Sequence, residues 1–578
     1  MKRYLKYLNG AWLWVIMAPV LMILEVFCDL NQPAIMSDIV DVGIRGANGP
    51  DTNYILIKGL QMMGVAVVGM IGGVGCGYFA TKASQYFGYR LRDDIYKKIQ
   101  SFSFANIDKF STASLVTRTT NEVVMLQNIV GMALRMMVRS PMLFIGGIIF
   151  ACMINLKLAL VFALAIPVIL GIIGFNIKKT FPLFKTVQGK LDKVNAVIQE
   201  NLTGIRVVKA YNRARHETER FGDANDEYVD ISIRAHKMMA LMMPSVSIVM
   251  NLSIVAIMWF SSRFVAFGDM EIGEVSAFIM YATRILSSIT MMSMMFMSIS
   301  RASASAARIA EVLDEEVDIK NSPAPRTEKV KEGSVEFKNV SFRYKGAGGE
   351  DVLKNISFSV KPGETLAILG STGSGKSTLV NLIPRLYDVT GGQVLVDGTD
   401  VRDYNIETLR ESVGMVLQNV ILFTGSITEN ILWGKKDATE EEIKEAAKRA
   451  QAAEFISKNP DGYDAILGQR GVNFSGGQKQ RLSIARALVK KPKILIFDDS
   501  TSAVDTGTEA KIRKTLREEM GDSTLILIAQ RISAVRDADT ILVIENGCIV
   551  GSGTHDELMA TNSVYQEIYY SQMEKEGE

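Results

Sequence analysis

Six long apolar stretches, at roughly 11 to 35, 55 to 80, 128 to 153, 156 to 177, 241 to 267 and 273 to 299, constrain this chain more than any other feature. Each is about long enough to cross the ~30 Å of a bilayer's hydrocarbon as a helix. A chain of 578 residues with 48% hydrophobic content exceeds one ordinary core, so at least two parts are expected, one of them in lipid. Lys2, Arg3 and Lys6 ahead of Ala11 could pass for the start of a secretory signal. The apolar run continues past Leu24 without a small-residue cleavage pattern, however, and reads as a retained membrane helix.

Basic residues set the orientation. Lys82, Arg90, Arg92, Lys97, Lys98, Lys109 and Arg118 fill the second connection, and Lys178, Lys179, Lys185, Arg206, Lys209, Arg213 and Arg215 the fourth. The other connections are short and carry little positive charge, so the second and fourth are cytoplasmic and both termini lie inside. This describes a multi-pass protein of the cell (inner or plasma) membrane, with the lipid bilayer as one partner. A net charge of +2, from 64 basic and 62 acidic residues, gives no argument for nucleic acid as a partner. Cys28, Cys76, Cys152 and Cys548 are scattered, with no CxxC pair, and indicate neither a zinc site nor a disulfide framework.

Helix formers such as Gln188 to Gly204 predict that the membrane helices continue below the bilayer. Residues 1–313 are expected to form an α-helical six-span transmembrane domain. Asp314, Glu315, Glu316, Pro323 and Pro325 mark 314–333 as a linker, and 334–578 as a second domain. There Ser334 to Tyr344 and Asn355 to Val360 alternate like strands, while Thr365 to Leu369 and Ile494 to Phe497 are wholly apolar. Such runs between helical patterns suit an α/β fold with a parallel sheet covered on both faces.

The strongest motif is Gly370, Ser371, Thr372, Gly373, Ser374, Gly375, Lys376, Ser377 and Thr378, directly after an apolar strand and before a helical pattern. Strand, loop and helix in that order define a P-loop, the Walker A element of an α/β NTPase that binds ATP with Mg2+. The glycines let backbone amides wrap phosphate oxygens, Lys376 brings a point charge to the β and γ phosphates, and Ser377 offers a hydroxyl to Mg2+. Ile494 to Phe497 delivers Asp498, the Walker B position, where a carboxylate can hold the metal. Gln418, after the strand-like Gly414 to Leu417, can reach the metal or the attacking water, and Tyr344 can stack on adenine; each is equally consistent with an ordinary surface residue.

Phe474-Ser-Gly-Gly-Gln478, followed by Lys479 to Arg486, resembles the signature motif of ABC transporters. The resemblance covers nearly the whole chain, including Tyr344, Walker A, Gln418, Walker B and Ser502-Ala-Val-Asp505. Its pattern is that of a type IV (exporter-fold) half-transporter. It implies ATP-driven export of a hydrophobic or amphipathic substrate, whether small molecule, lipid or peptide. It also implies two ATPase domains facing head to tail, so that Ser475, Gly476, Gly477 and Gln478 serve the partner's ATP. A helix start of this kind offers amides and a positive dipole end to a γ-phosphate.

Two departures from the family pattern fall on catalytic positions. Where the family usually has a glutamate general base, this chain has Asp499, whose carboxylate sits about 1.5 Å closer to the backbone. A misplacement of that order can cost roughly a hundredfold. Where the family has a switch histidine, this chain has Gln530, which cannot hold a proton as imidazole does; His216, His236 and His555 lie elsewhere. The resemblance therefore implies a degenerate site in a heterodimer, with Lys376, Gln418, Asp499 and Gln530 in the catalytic positions and a second half-transporter bringing the glutamate and histidine. A low-activity homodimer and an ATP-gated channel or regulator are the rival readings. Gln469 is a further departure, standing where a glutamate is common.

In the first span Glu25 and Asp29 lie one helical turn apart, and intramembrane carboxylates are costly without water, a partner charge or a bundle interior. A place on the translocation path and pairing with Arg135, Arg139 or Arg284 are both open. Met291, Met292, Met294, Met295 and Met297 give the last span adaptable side chains, for varied apolar ligands or for packing alone. The tracts Phe104 to Ser114 and Val208 to Phe221 occupy the places of the family's coupling helices, with Phe110 and Tyr211 as candidate anchors or local packing.

Overall fold

The computed structural model describes residues 2–46, 49–345, 349–500, 504–519 and 521–576. Contacts divide the chain into two compact units, Met1–Gln100 with Ala113–Asp314, and Ser101–Thr112 with Glu315–Glu578.

The first unit is helical: α1 (Trp12–Asp38), α2 (Thr52–Gln100), α4 (Thr112–Thr119), α5 (Asn121–Ile154), α6 (Leu156–Thr203), α7 (Ile205–Ala210), α8 (Ala214–Ala240), α9 (Met242–Ala266) and α10 (Ile272–Asp314). The short α3 (Phe104–Phe110) falls in the second unit. Among the described residues, six segments of the first unit are long and apolar enough to span a membrane. At 49 and 48 residues, α2 and α6 run for roughly 70 Å, more than twice the hydrocarbon thickness, so they carry the expected extensions. Met22, Val26 and Leu30 of α1 pack with Cys76 and Ala80 of α2, Leu143 of α5 and Phe278, Tyr281 and Ile285 of α10. The buried Tyr281 hydroxyl donates to the Leu30 carbonyl at 2.7 Å, so its one polar atom is satisfied.

Of the candidate partners for Glu25 and Asp29, Arg139 bonds both, and Arg284 bonds the Asp29 carbonyl. Arg135 instead donates to the Gly131 carbonyl of its own helix at 3.3 Å. Met295 is buried and Met291 exposed, while the side chains of Met294 and Met297 lie outside the described residues.

In the second unit the strands are β1 (Val335–Phe342), β2 (Leu353–Val360), β3 (Thr365–Gly370), β4 (Gly391–Val396), β5 (Thr399–Asp400), β6 (Val413–Val416), β7 (Gly425–Ser426), β8 (Ile466–Leu467), β9 (Ile494–Asp498), β10 (Thr524–Ile528), β11 (Thr540–Glu545) and β12 (Cys548–Gly553). Six form one sheet in the order β12-β11-β3-β10-β9-β6, parallel except for β12. The fully buried runs of β3 and β9 lie inside it, as unbroken apolar strands should. The alternating runs are in a different place. β1 and β2 belong to a separate antiparallel sheet, β2-β1-β4-β5, where one half-solvated face explains their period of two.

The first coupling tract belongs to the ATPase unit through Phe104, whose ring lies 6.0 Å from that of Tyr387, and Asp108, which accepts from the Tyr387 hydroxyl at 2.9 Å. Phe110 stacks locally on Phe102. Tyr211, in the membrane unit, is exposed.

Candidate functional site

Four neighbouring parallel strands, β3, β10, β9 and β6, end at the same edge of the sheet, with Ile368, Ile528 and Asp498 in register and Val416 opposite Phe497. Whatever follows each strand is delivered to one place, the carboxyl edge where open α/β sheets bind ligands. Here these are the P-loop, Gln530, Asp499 and Gln418.

The P-loop passes from β3 into α11 (Lys376–Asn381) through backbone that favours glycine. Gly375 has φ +98°, and a Cβ there would lie 2.9 Å from Leu353 Cδ2 and 3.1 Å from the Val352 carbonyl. At Gly370 a Cβ would sit 2.1 Å from the Ile544 carbonyl, so any side chain would push the strand end off β11. Lys376 folds back over the loop, its ammonium donating to the carbonyls of Gly370 at 2.9 Å and Ser371 at 2.7 Å. Burial holds this ammonium below its ordinary pKa, against the pull of Asp499 and Asp498. Asp498 is pushed the other way, up by burial and further by Asp499, while a hydrogen bond from Ser377 and the Lys376 charge oppose the shift.

Ser377 Oγ donates to Asp498 Oδ1 at 2.7 Å, so hydroxyl and carboxylate already converge as a Mg2+ site requires. In the same loop Ser374 Oγ is buried and has no hydrogen-bond partner among the described residues, a donor left for a phosphate oxygen. The residues present fit both ATP and Mg2+. Tyr344 stands beside the loop, its hydroxyl 2.9 Å from Thr378 Oγ1 and its ring edge-on to Tyr387.

Asp499 adopts φ +44°, an unusual conformation for a residue with a side chain, and its amide donates to the Ile528 carbonyl at 3.1 Å. Its Oδ2 accepts from Gln530 Nε2 at 2.7 Å and from Gln418 Nε2 at 3.2 Å. Gln418 thus bonds Asp499, and the same carboxylate oxygen takes the Gln530 side-chain amide. The loop carrying Gln530 is pinned by a residue that sequence reasoning missed. Gln572, on the helix Ser563–Glu576, donates to the Gln530 carbonyl at 2.7 Å and accepts from the Ile532 amide at 2.8 Å. No spacing or motif marks Gln572; one glutamine on a polar helix carries no signal.

The signature residues stand apart. Ser475 caps the helix Gly476–Leu488, accepting from the Gln478 amide at 3.3 Å, while Gln478 Oε1 accepts from the Ser475 amide at 2.9 Å. Ser475 and Gly476 are exposed, and among the described residues no hydrogen bond joins this turn to the P-loop. Ser502 and Ala503 lie outside the described residues, while Asp505 accepts from the Thr508 amide at 2.9 Å. Gln469 is exposed in a short helical turn, Gln469–Gly471.

Six spanning segments and a P-loop site at the carboxyl edge of a parallel sheet, on one chain, define an ATP-hydrolysing membrane transporter. Comparison with known proteins narrows the class: residues 15–290 match the ABC transporter transmembrane region and 353–502 the ABC transporter family model. The uncharacterized ABC transporter ATP-binding protein YfiB of Bacillus subtilis is 42% identical, over 100% of this chain and 99% of its own length. A fatty acid ABC transporter ATP-binding/permease protein of Mycobacterium bovis is 35% identical, over 83% of this chain and 75% of its own. A solved bacterial Atm1-family ABC exporter with ATP bound superposes with a TM-score of 0.79, at 26% identity and 98% coverage of both chains. The chain belongs to the ABC transporter family, as an exporter-type half-transporter.

Proposed function

We propose that this chain is the degenerate-site subunit of a heterodimeric exporter in the cell membrane, with its ATPase part in the cytoplasm. One observation carries the reading: Asp499, in the place of the general base, has a single oxygen taken by two amide donors, Gln530 at 2.7 Å and Gln418 at 3.2 Å. Those two donors occupy the oxygen that would have to take the proton, and the carboxylate is already about 1.5 Å short of a glutamate's reach. Hydrolysis at this chain's own nucleotide is weak for both reasons. Ser377 and Asp498 would hold Mg2+, which when bound neutralises charge between the phosphates, and Lys376 and the P-loop amides hold the nucleotide. Tyr344 flanks the base.

The signature turn keeps Ser475, Gly476, Gly477 and Gln478 and serves the ATP of a partner half-transporter that brings the working glutamate and histidine. Residues 1–313 form the transmembrane domain, 314–333 the linker and 334–578 the nucleotide-binding domain. The substrate is hydrophobic or amphipathic, a reading supported by the fatty acid transporter among the relatives. The test is ATP turnover by the purified chain alone and with its copurified partner: little alone, and a gain with the partner. Robust turnover by the chain alone, abolished by Lys376→Ala, would overturn the heterodimer reading.

A further inference from the structure

In the membrane unit two guanidinium groups hold two carboxylates, and a third lies one helical turn away. Arg139 of α5 bonds Glu25 and, at 3.1 Å, Asp29, while Arg284 of α10 lies 3.9 Å from the Asp29 carboxylate and 3.4 Å from the Gln32 side-chain oxygen. Both carboxylates are thereby used. The third group is Arg135, one turn from Arg139 on the same face of α5. Among the described residues no carboxylate lies within 4 Å of it, and its two terminal NH2 groups have no partner. Only its Nε is engaged, with the Gly131 carbonyl. Its side chain is exposed.

Arg135 sits about 8 Å along the helix from the midpoint of its apolar stretch, on the cytoplasmic side. A guanidinium at that depth is costly unless something neutralises it, and a forked pair of NH2 groups matches the two oxygens of a carboxylate or phosphate. We propose that Arg135 is a headgroup subsite for an anionic, single-chain amphiphile on the transport path. The carboxylate or phosphate head takes the two free NH2 groups, and the tail lies along the apolar helices. This rests on the export reading and names the charge of its substrate.

The test is equilibrium binding to the full-length chain in phosphatidylcholine nanodiscs, with radiolabelled oleate as the probe and lysophosphatidate, oleylamine and oleyl alcohol as competitors. Both anions are expected to compete at least about 10-fold better than the amine or the alcohol. Arg135→Gln should reduce that preference to within about twofold, Arg135→Lys, which keeps the charge and loses the fork, should keep part of it, and ATP binding should be unchanged in both variants. A further arm adds phosphatidylglycerol: if it displaces oleate as well as lysophosphatidate does, the head is that of a resident bilayer lipid, and if it does not, that of a free amphiphile. An amine that competes as well as oleate, or a preference that survives Arg135→Gln, overturns the proposal. Because the assay needs neither partner nor turnover, a chain that binds oleate this way and never moves it would refute export and leave the subsite standing.

Discussion

Asp499→Glu together with Gln530→His is expected to raise hydrolysis at this chain's own nucleotide by about 10- to 100-fold, while either change alone gives less than about fivefold. The upper bound comes from geometry. One added carbon-carbon bond moves the carboxylate about 1.5 Å, and recovering a placement error of that size is worth up to about a hundredfold, near 2.7 kcal/mol. The interference comes from the 2.7 Å bond that Gln530 donates to Asp499. With Gln530 still present, its amide follows the lengthened carboxylate and holds the lone pair that must take the proton, withdrawing about 1.5 kcal/mol or more. Gln530→His by itself leaves the base short. The two changes should therefore couple by at least about 1 kcal/mol, beyond the ~0.5 kcal/mol expected of independent sites. The assay is phosphate release in a four-member mutant cycle, in a complex whose partner site has lost its own base. A double variant that binds ATP and stays at background would place the defect elsewhere, most simply in the partner's signature. Additive single effects would refute the view that the two residues act as a unit.

Under the heterodimer proposal the signature acts on the partner's nucleotide and Asp499 on its own, so Ser475→Ala or Gly477→Asp should lower turnover of the complex by about 10-fold or more, and Asp499→Ala by less than about threefold. Equal losses in steady-state ATPase would contradict that division. Gly375→Ala introduces a Cβ 2.9 Å from Leu353 Cδ2 at φ +98°; the strain of about 1–2 kcal/mol should weaken fluorescent ATP binding roughly 5- to 30-fold, and an unchanged Kd would show that the loop relaxes freely. Arg139→Ala leaves Glu25 and Asp29 without their shared partner and should destabilise the membrane unit by about 3 kcal/mol, read as a lower midpoint of thermal unfolding in detergent. Adding Glu25→Gln and Asp29→Asn should recover most of the loss, and a midpoint that Arg139→Ala leaves in place would remove the ion pairs from the account.

The sequence was most informative where one local pattern has one structural solution. The unbroken runs Thr365 to Leu369 and Ile494 to Phe497 became β3 and β9, each strand running one residue further, and the glycine loop between an apolar strand and a helix became the P-loop. It was least informative where a pattern fixes a residue's face but not its partner. Alternation in Ser334 to Tyr344 announces a half-buried strand, yet pairing with β2 and β4 in an antiparallel sheet depends on chain segments far away. Arg135 and Arg139 share a helix face, so only the packed helices reveal that Arg139 takes both carboxylates. Gln418 was read as reaching the metal or the attacking water, or as a surface residue, whereas its bond to Asp499 follows from how β6 and β9 are registered, which no spacing in the sequence encodes.

Gln572 ties the far end of the chain to the nucleotide site. Its side chain spans the Gln530 carbonyl and the Ile532 amide, so order in the last helix is transmitted to the loop that faces Asp499 through two hydrogen bonds, beside the apolar packing of Tyr565 with Ala529 and Ile532. An affinity tag that unwinds this helix would perturb ATP chemistry while leaving every motif intact. The exchange rate of a single amide proton, that of Ile532, is accordingly a gauge of how firmly the C-terminal helix is seated.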